Sequence, residues 1–507
     1  MLGLEKDPRA EDAIRRWGEL KGLRACYEQD WEELAWMIRG PSRGGFTAAN
    51  PELVRDKKAL SSAPIVAQSN FASGLFGTMT NPANRWMGLK TPDDFTDDDA
   101  GKAWLDIVNK RVLNSFSPAV SPFYSAAIQI FSDVSTFGNG AQYDEVRPAE
   151  GKIMDVTLSL AEVVYAIDAF GRVDEFVRKT KLSAIQAARQ FGLDALPEKL
   201  RDKAIAGNHT DKFEVYQHVR LNDDWWPRAL GPRGKRWVSL HVVADGASVV
   251  REGGYDDMPV QAPRWEVDTG QTYGYGPGSI AMPDARVSNQ MDDATLRAAQ
   301  FAADPTLLAP DRETWALNGA VRPGSTIYGG VNMSGQRMVA PLDRVGQTGL
   351  TLDMYNRRIE NIRDAFHWSL MNLAGRSGMT ATEIIERQEE KQRLMAPHIG
   401  RVQEEYLAPK IARRFFLLWR ARQLPPPPES MSEVPLEVEY LSAAAMAQKS
   451  AEGASVIRLL QDVTPLAQIK PRLMDRISED DLVEVLHEAR GVPARVLRSR
   501  EQADEME

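Results

Sequence analysis

The sequence has 507 residues, of which 43% are hydrophobic, and this size predicts two to four domains. Its formal net charge of −9 argues against a protein whose whole surface grips nucleic acid, because such binding requires a basic footprint. The single cysteine, Cys26, excludes intrachain disulfides and cysteine-rich metal sites and favours a reducing compartment. We expect Cys26 to be a small buried residue of the first helix.

The N-terminal residues and the apolar segments indicate neither export nor a membrane partner. Residues 1–7 lack the apolar run of a signal peptide. No apolar stretch approaches the length that crosses a bilayer, and residues 415–419 form one of the longest. We therefore expect a protein that works without a membrane.

The first 140 residues are predicted to be mainly helical. Apolar residues recur at the three- and four-residue spacing of helices, and Gly or Pro residues mark the ends. The predicted helices cover residues 12–39, residues 61–79, a segment ending near Phe116, and residues 121–136. Asp97, Asp98 and Asp99 resemble metal-binding carboxylates, but acids in the first turn of the third helix, favoured by its dipole, are the preferred interpretation.

After Gly140 the sequence changes from helical periodicity to the alternation of strands. Strands are predicted over residues 153–159, 162–167, 173–180, 237–243 and 247–250, the last two as a hairpin. A short helix over residues 182–191 lies between them. The middle third is therefore predicted to be a mixed α+β domain with small antiparallel sheets.

The chain returns to helical periodicity at Pro283. One helix is predicted to end at Asp304, residues 305–350 hold short β-prone pieces, and a second helix follows from Thr351. The apolar residues of that second helix form one narrow seam: Leu352, Tyr355, Ile359, Ile362, Phe366, Leu370 and Leu373.

A long helix is predicted to begin at a capping box formed by Thr380 and Glu383 and to end at the prolines of residues 425–428. About forty residues make a rod of roughly 60 Å, which we expect Pro397 and Pro409 to kink. A strand at 436–441 and helices at 442–461 and 479–490 follow. Long helices without catalytic residues suit a structural protein whose helices form the walls of an assembly.

Signatures of catalysis are weak or absent in the sequence. Residues 231–236 place glycine and lysine at the wrong spacing for a phosphate loop, and residues 273–278 lack the order of a dinucleotide site. We interpret residues 231–236 as a basic surface turn and residues 273–278 as a hinge or tight loop. Trp225 and Trp226 could stack on bases, but packing in the core or at an interface is the preferred interpretation. We predict no enzyme activity, no cofactor and no metal.

Several segments resemble the portal, or head-to-tail connector, proteins of short-tailed double-stranded-DNA bacteriophages. These segments are Asn81–Trp86, Asp133–Gly140, Arg264–Pro277, Ala281–Asn289 and Met379–Pro409. A basic residue is usual in the family where Tyr275 stands. Each segment is weak alone, but their order and spacing extend the resemblance over nearly the whole chain.

The resemblance implies an α+β, mainly helical portal-type fold with small β-sheets in its wing and clip. It places the wing at residues 1–280, and two stem helices at 281–303 and 351–373 with the clip at 304–350 between them. A tunnel loop then follows at 374–379, a long wing- or crown-side helix at 380–428, and crown helices at 429–507.

The same resemblance implies the candidate site residues. Candidates for a DNA channel are Arg357, Arg358, Arg363, Arg376, Ser377 and Gly378, and candidates for partner contacts of the clip are Asp311, Arg312, Glu313, Arg322 and Arg337. Ion pairs of the arginines with Glu360 and Asp364, on the same helix or between subunits, are an equally good interpretation.

The function implied by the resemblance is a ring of twelve subunits at one capsid vertex that passes double-stranded DNA. The implied partners are the terminase large subunit, tail adaptor and tail proteins, and the scaffolding and major capsid proteins. The implied locations are the virion and, during assembly, the host cytoplasm. Two other functions stay open: a DNA-packaging enzyme with ATPase or nuclease activity, and a scaffold or adaptor protein that uses long helices.

Overall fold

The computed structural model describes residues 7–39, 60–92, 99–147, 151–303, 348–368, 395–431 and 434–440, with short pieces at 307–308, 333–336 and 340–341 and a few positions between 456 and 486. The capping box at Thr380, most of the helices predicted at 442–461 and 479–490, and most of the region 304–350 lie outside the described residues.

Four helices form the first part of the chain, as the periodicity predicts. They are α1 (Pro8–Met37), α2 (Ala63–Met79), α3 (Asp99–Ser115) and α4 (Phe123–Phe137), with strand β1 (Met87–Lys90) before α3. Asp7 caps α1, because its carboxylate accepts a hydrogen bond of 2.9 Å from the amide of Arg9. Asp99 stands in the first turn of α3, as expected, while Asp97 and Asp98 lie outside the described residues.

Cys26 is exposed, so the expectation of a buried cysteine is wrong. The inward face of α1 is filled at this turn by Arg24, which is buried. The Arg24 guanidinium donates hydrogen bonds to the carbonyl oxygens of Leu160 and Val163. A charged side chain that satisfies backbone acceptors therefore takes the inward position, and the cysteine faces outward.

A five-stranded antiparallel sheet forms the middle of the chain. Its strands, in spatial order, are β4 (Val163–Ile167), β5 (Val173–Ser183), β6 (Lys212–Leu221), β7 (Trp237–Val243) and β8 (Ser248–Tyr255), and they follow a hairpin of β2 (Gln142–Arg147) and β3 (Lys152–Thr157). The predicted hairpin β7–β8 is confirmed. The predicted short helix is α5 (Ala184–Phe191), but α6 (Glu198–Ile205) and β6 were not predicted.

Two smaller sheets connect distant parts of the chain. Strand β9 (Val260–Gln261) pairs with β2, which gives the order β3–β2–β9. Strand β12 (Glu437–Tyr440), close to the predicted strand at 436–441, pairs antiparallel with β1 near the start of the chain. The body is therefore closed by elements from both halves of the sequence.

The glycine-rich segment 273–278 is a close crossing of backbones rather than a hinge. It passes the C-terminal end of α4, where Gly138 adopts a left-handed φ of +73°. A Cβ atom on Gly276 would lie 2.6 Å from the carbonyl oxygen of Val134, and one on Gly278 would overlap that of Thr136. Helix α7 (Pro277–Ala303) begins at this crossing, six residues before the predicted start, and it contains Pro283.

Helix α7 pairs with α8 (Thr348–Ala365), and a two-stranded pair of β10 (Leu307–Leu308) and β11 (Ala340–Pro341) lies between them in sequence. The predicted seam of α8 is confirmed where it is described: Ile359, Ile362 and Phe366 are buried. The helix is interrupted earlier than predicted, because His367 adopts a left-handed φ of +47°.

The helix before the prolines contains an irregular turn. Residues 395–402 are α-helical, Gln403–Leu407 form a π-helical turn, and α9 (Ala408–Arg420) follows without a break. Pro409 has no amide hydrogen, and a regular helix would drive its ring against the preceding turn. The distortion expected at Pro409 thus takes the form of a π turn. Together these elements confirm a mainly helical α+β fold.

Candidate functional site

The paired helices α7 and α8 are the first candidate functional element. Arg358 on α8 forms an ion pair with Asp284 on α7, with 2.8 Å between Nη1 and Oδ1. The hydroxyl of Tyr355 donates to the Asp292 carboxylate at 3.4 Å. These polar contacts accompany the buried seam, so they fix how the two helices stand against each other.

One end of this pair is tied to the body and the other is exposed. The guanidinium of Arg286 on α7 donates to Glu33 on α1, with 2.6 Å between Nε and Oε1. The side chain of Asn289 accepts a hydrogen bond from the amide of Leu60 at 2.6 Å. Further along α7, residues 294–300 are all exposed in a single chain, and they include the half-exposed Leu296. This part of the helix has surface to offer to a neighbouring molecule.

The three described arginine candidates of α8 point in different directions. At about 100° per residue, Arg357, Arg358 and Arg363 stand roughly 100–140° apart around the helix axis. Arg358 is turned towards Asp284, and the Arg363 guanidinium lies 5.6 Å from the ring centroid of Trp368. Arg357 is exposed. The partner of Arg358 is therefore on the other helix, not Glu360 or Asp364.

The remaining candidate residues lie outside the described residues. They are Arg376, Ser377 and Gly378 of the predicted tunnel loop and Asp311, Arg312, Glu313, Arg322 and Arg337 of the predicted clip. Their roles stay predictions.

A buried ion network joins α9 to the sheet β3–β2–β9, and sequence reasoning missed it. Lys410 Nζ lies 2.5 Å from Asp155 Oδ1 and 3.9 Å from Asp144 Oδ2. Arg413 donates to Asp144 at 2.9 Å, and Arg414 pairs with Asp155. All five side chains are buried. The signal in the sequence was three basic residues within five positions on a helix that is otherwise apolar on that face.

The network balances burial against attraction. Burial lowers the pKa of Lys410, while Asp144 and Asp155 oppose that shift. Burial would raise the pKa of Asp155, but Lys410 and Arg414 outweigh it and hold the pKa below its usual range. Because each charge depends on the others for its solvation, the network can form only when α9 is seated on the sheet.

A second ion pair fixes the π-helical turn to Arg264, whose neighbour Trp265 donates its amide to the carbonyl oxygen of Gly138 at the end of α4. Arg264 Nη2 lies 2.7 Å from Glu405 Oε1, and the backbone amide of Arg264 donates to the same carboxylate at 2.9 Å. Both residues lie in segments that resemble the portal family. Glu405 belongs to the π-helical turn, so the irregular backbone there positions a carboxylate that bridges two parts of the body.

An open cleft of about 410 Å³ lies where α1 meets β5 and β6, but most of its charged groups already have partners. Glu175 contacts Arg16 at 2.7 Å and His218 at 2.8 Å. Burial would raise the pKa of Glu175, but the hydrogen bonds from His218 and Arg16 lower it to about 2. Glu175 is thus an ionised partner of a salt bridge, which suits it for holding α1 to the sheet.

The described part of the chain offers neither a metal site nor a membrane-spanning helix. Among the described residues no group of three or more His, Cys, Asp or Glu side chains could hold a metal ion. No helix within the described ranges is long and apolar enough to cross a membrane.

Comparison with known proteins supplies the family. The model of the family described as bacteriophage head to tail connecting protein matches residues 10–497, nearly the whole chain. The class is therefore that of structural phage proteins. The chain belongs to the bacteriophage head to tail connecting proteins, which confirms the resemblance seen in the sequence.

Two curated relatives cover most of the chain. The portal protein of Salmonella phage epsilon15 is 28% identical over 506 residues, which cover 97% of this chain and 89% of that protein. A probable portal protein of Bordetella phage BPP-1 is 28% identical over 496 residues, which cover 94% and 87% of the two chains.

Two solved structures are also similar. A chain from the virion of a native gene transfer agent particle has a TM-score of 0.37 and 12% identity, with 90% of this chain and 98% of that chain covered. A chain from the neck of an empty gene transfer agent particle has a TM-score of 0.38 and 11% identity, with 84% and 94% covered.

Proposed function

We propose that this protein is a portal: a ring of twelve copies at one capsid vertex, through which duplex DNA enters during packaging and leaves during ejection. The observation that carries the proposal is the family match over residues 10–497, since head-to-tail connection places the protein where DNA must pass. The portal names of the two relatives support the same function.

The proposed domain plan follows the family order. Residues 1–280 would form the wing, 281–303 and 351–373 the stem, and 304–350 the clip, with the tunnel loop at 374–379. The long helix at 380–428 and the crown at 429–507 complete the plan. The ion-paired α7 and α8 suit a stem, because a helix pair fixed along its length resists bending while its outer residues stay free for neighbours.

The charge of the ring suits passage of DNA rather than capture. Twelve copies of −9 give about −108 formal charge, so the assembly as a whole repels phosphates. Exposed Arg357 and Arg363, with Arg376, are the proposed basic groups that steady the duplex locally. Arg358 is the weaker candidate of the four, because its charge is already paired with Asp284.

The proposed partners are those that a portal must meet. The clip would contact the terminase large subunit during packaging and tail adaptor or tail proteins afterwards, and the wing would contact scaffolding and major capsid proteins. The protein would reside in the host cytoplasm during assembly and at the portal vertex of the virion.

Imaging of assembled particles tests this function. We expect negative-stain micrographs of the purified protein, alone or with capsid and scaffolding proteins, to show rings with a central opening in end-on view. Native mass spectrometry should give a single large oligomer. Compact particles without an opening under all of these conditions would contradict the portal function and favour an adaptor protein.

Enzyme assays separate the portal from the packaging-enzyme alternative. We expect the purified protein to hydrolyse neither ATP nor DNA above the rate of a mock preparation. Turnover that follows the protein through purification would favour the enzyme instead.

A further inference from the structure

The connection between β6 and β7 is a long loop with a fixed internal structure. It spans residues 222–236, fifteen residues where hairpin connections usually need about two to five. Asn222 fastens it, because its Nδ2 donates to the carbonyl oxygens of Pro232 at 3.1 Å and Lys235 at 2.8 Å. The amide of Trp226 donates to the carbonyl oxygen of Arg233 at 2.9 Å. We name residues 222–236 the tryptophan loop.

The tryptophan loop is also fixed to the sheet and shaped by its backbone. Lys235 Nζ lies 2.8 Å from Asp256, just beyond β8. Arg228 and Gly231 adopt left-handed φ angles of +70° and +75°, which turn the chain at two points. A loop held in this way loses little conformational freedom when it binds a partner, so binding keeps most of its interaction energy.

This loop displays large apolar side chains to solvent. Trp225 is 47% exposed, Trp226 71% and Leu230 97%, and Leu221 at the end of β6 is 41% exposed. Of the two packings expected for these tryptophans, the core is excluded by their exposure, and packing at an interface remains. By contrast, these other tryptophans of the chain are buried: Trp17, Trp31, Trp86, Trp104 and Trp265. A group of exposed indole and leucine side chains marks an interaction surface.

The charge of the loop is opposite to that of the chain. The loop holds four basic and two acidic residues, a net +2, so the rest of the chain carries −9 − 2 = −11. Asp223 is paired with Arg220, and Lys235 is paired with Asp256. Among the described residues, Arg228, Arg233 and Arg236 make no ion pair. The tip therefore combines guanidinium groups with indole rings, the composition that dominates protein interfaces.

We propose that the tryptophan loop is a contact between neighbouring copies of this chain, an inference that rests on the proposed ring. A ring uses two different surfaces of each copy, and a projecting loop suits one of them. The copy that receives the loop carries the acidic excess that complements its arginines. Duplex DNA fits less well, because phosphates would meet the arginines but leave Trp225, Trp226 and Leu230 in water.

The test compares ring formation by loop variants with that of a matched control. The variants are the double substitution Trp225→Ala with Trp226→Ala, and the double substitution Arg228→Glu with Arg233→Glu. Phe170→Ala is the control, because Phe170 is 90% exposed in a different turn, between β4 and β5. Native mass spectrometry and negative-stain imaging over a dilution series measure the concentration at which rings form.

We expect both loop variants to need at least about tenfold more protein than the wild type to form rings, and the control to match the wild type. Circular dichroism and melting temperatures of the monomers should be unchanged, because all four substituted side chains are exposed. If the tryptophan variant is poorly soluble, ring formation by the arginine variant alone decides the outcome.

Two results separate failure of this inference from failure of the proposed function. Loop variants that form rings at the wild-type concentration would overturn the inference and leave the portal function intact, and loss of binding to a short DNA duplex by those intact rings would assign the loop to DNA instead. A wild-type protein that forms no rings under any condition would contradict the portal function itself.

Discussion

At the scale of single residues, the molecule places charge where sequence reasoning places apolar groups. Three cations of α9 and two aspartates of β2 and β3 share one buried site. Replacement of such a network by well-packed apolar residues can be neutral, whereas removal of one partner leaves a buried charge without compensation. The network therefore specifies one position of α9 on the sheet, because only that position pairs all five buried charges.

The substitution Asp155→Asn should destabilise the protein strongly. It removes the anion that faces both Lys410 and Arg414, so we expect a loss of about 3–5 kcal/mol in the free energy of unfolding. Asp256→Asn is the matched control, because its pairs with Arg420 and Lys235 are partly exposed and should contribute about 0–1 kcal/mol each. Urea denaturation measures both, and equal losses would contradict the prediction.

His241 should make stability depend on pH. Burial, and then the nearby Arg251 and Arg178, lower its pKa from 6.5 to about 4. His241 therefore binds a proton more tightly in the unfolded chain than in the fold. The stability that depends on neutral His241 is complete above pH 6.5 and is lost as the pH falls from there through about 4. We expect a loss on the order of 2 kcal/mol between pH 7.5 and 5 from this residue.

Urea midpoints at a series of pH values test the role of His241. The wild type should lose stability over this range more steeply than His241→Gln, whose side chain does not titrate. Parallel curves for the two proteins would show that the loss on acidification arises elsewhere.

At the scale of elements, the arrangement of α4 and α7 depends on glycine. Gly276→Ala would place a Cβ atom 2.6 Å from the carbonyl oxygen of Val134, so the two backbones would have to separate. We expect a loss of about 2–4 kcal/mol in the free energy of unfolding. Gly22→Ala on α1 is the control: no atom lies within 4 Å of its Cβ position, and we expect a gain of roughly 0.5–1 kcal/mol. Equal effects at the two positions would contradict the crossing.

At the scale of the whole molecule, local patterns predicted the helices well, and long-range partners account for what was missed. The helices α1 to α5 were predicted because apolar spacing and caps are encoded within each segment. Strand β2 was missed because Asp144 and Glu145 suggest a loop, and nothing nearby reveals that Arg413 neutralises Asp144. Strand β6 was missed because it is buried on both faces, with Gln217 and His218 among its inward residues.

The candidate site was predictable only in part for the same reason. The apolar seam of α8 is periodic and was predicted, whereas the ion pair of Arg358 with Asp284 joins positions on two helices that no local rule connects. The exposure of Trp225 and Trp226 was also hidden, because composition does not show whether a tryptophan faces the core or the solvent.

The wide sequence separation within the buried network also determines when the chain can finish folding during its synthesis. Asp155 and Arg414 are 259 positions apart, and Asp144 and Arg413 are 269 apart. A ribosome that adds about 5–20 residues per second makes the second member of each pair roughly 13–50 s after the first. During that interval the aspartates must stay hydrated and β1 has no β12 to join, so the body stays open until synthesis is nearly finished. A polypeptide that stops before α9 would therefore leave two aspartates without their cations and β1 without its partner strand, and it could not complete the fold.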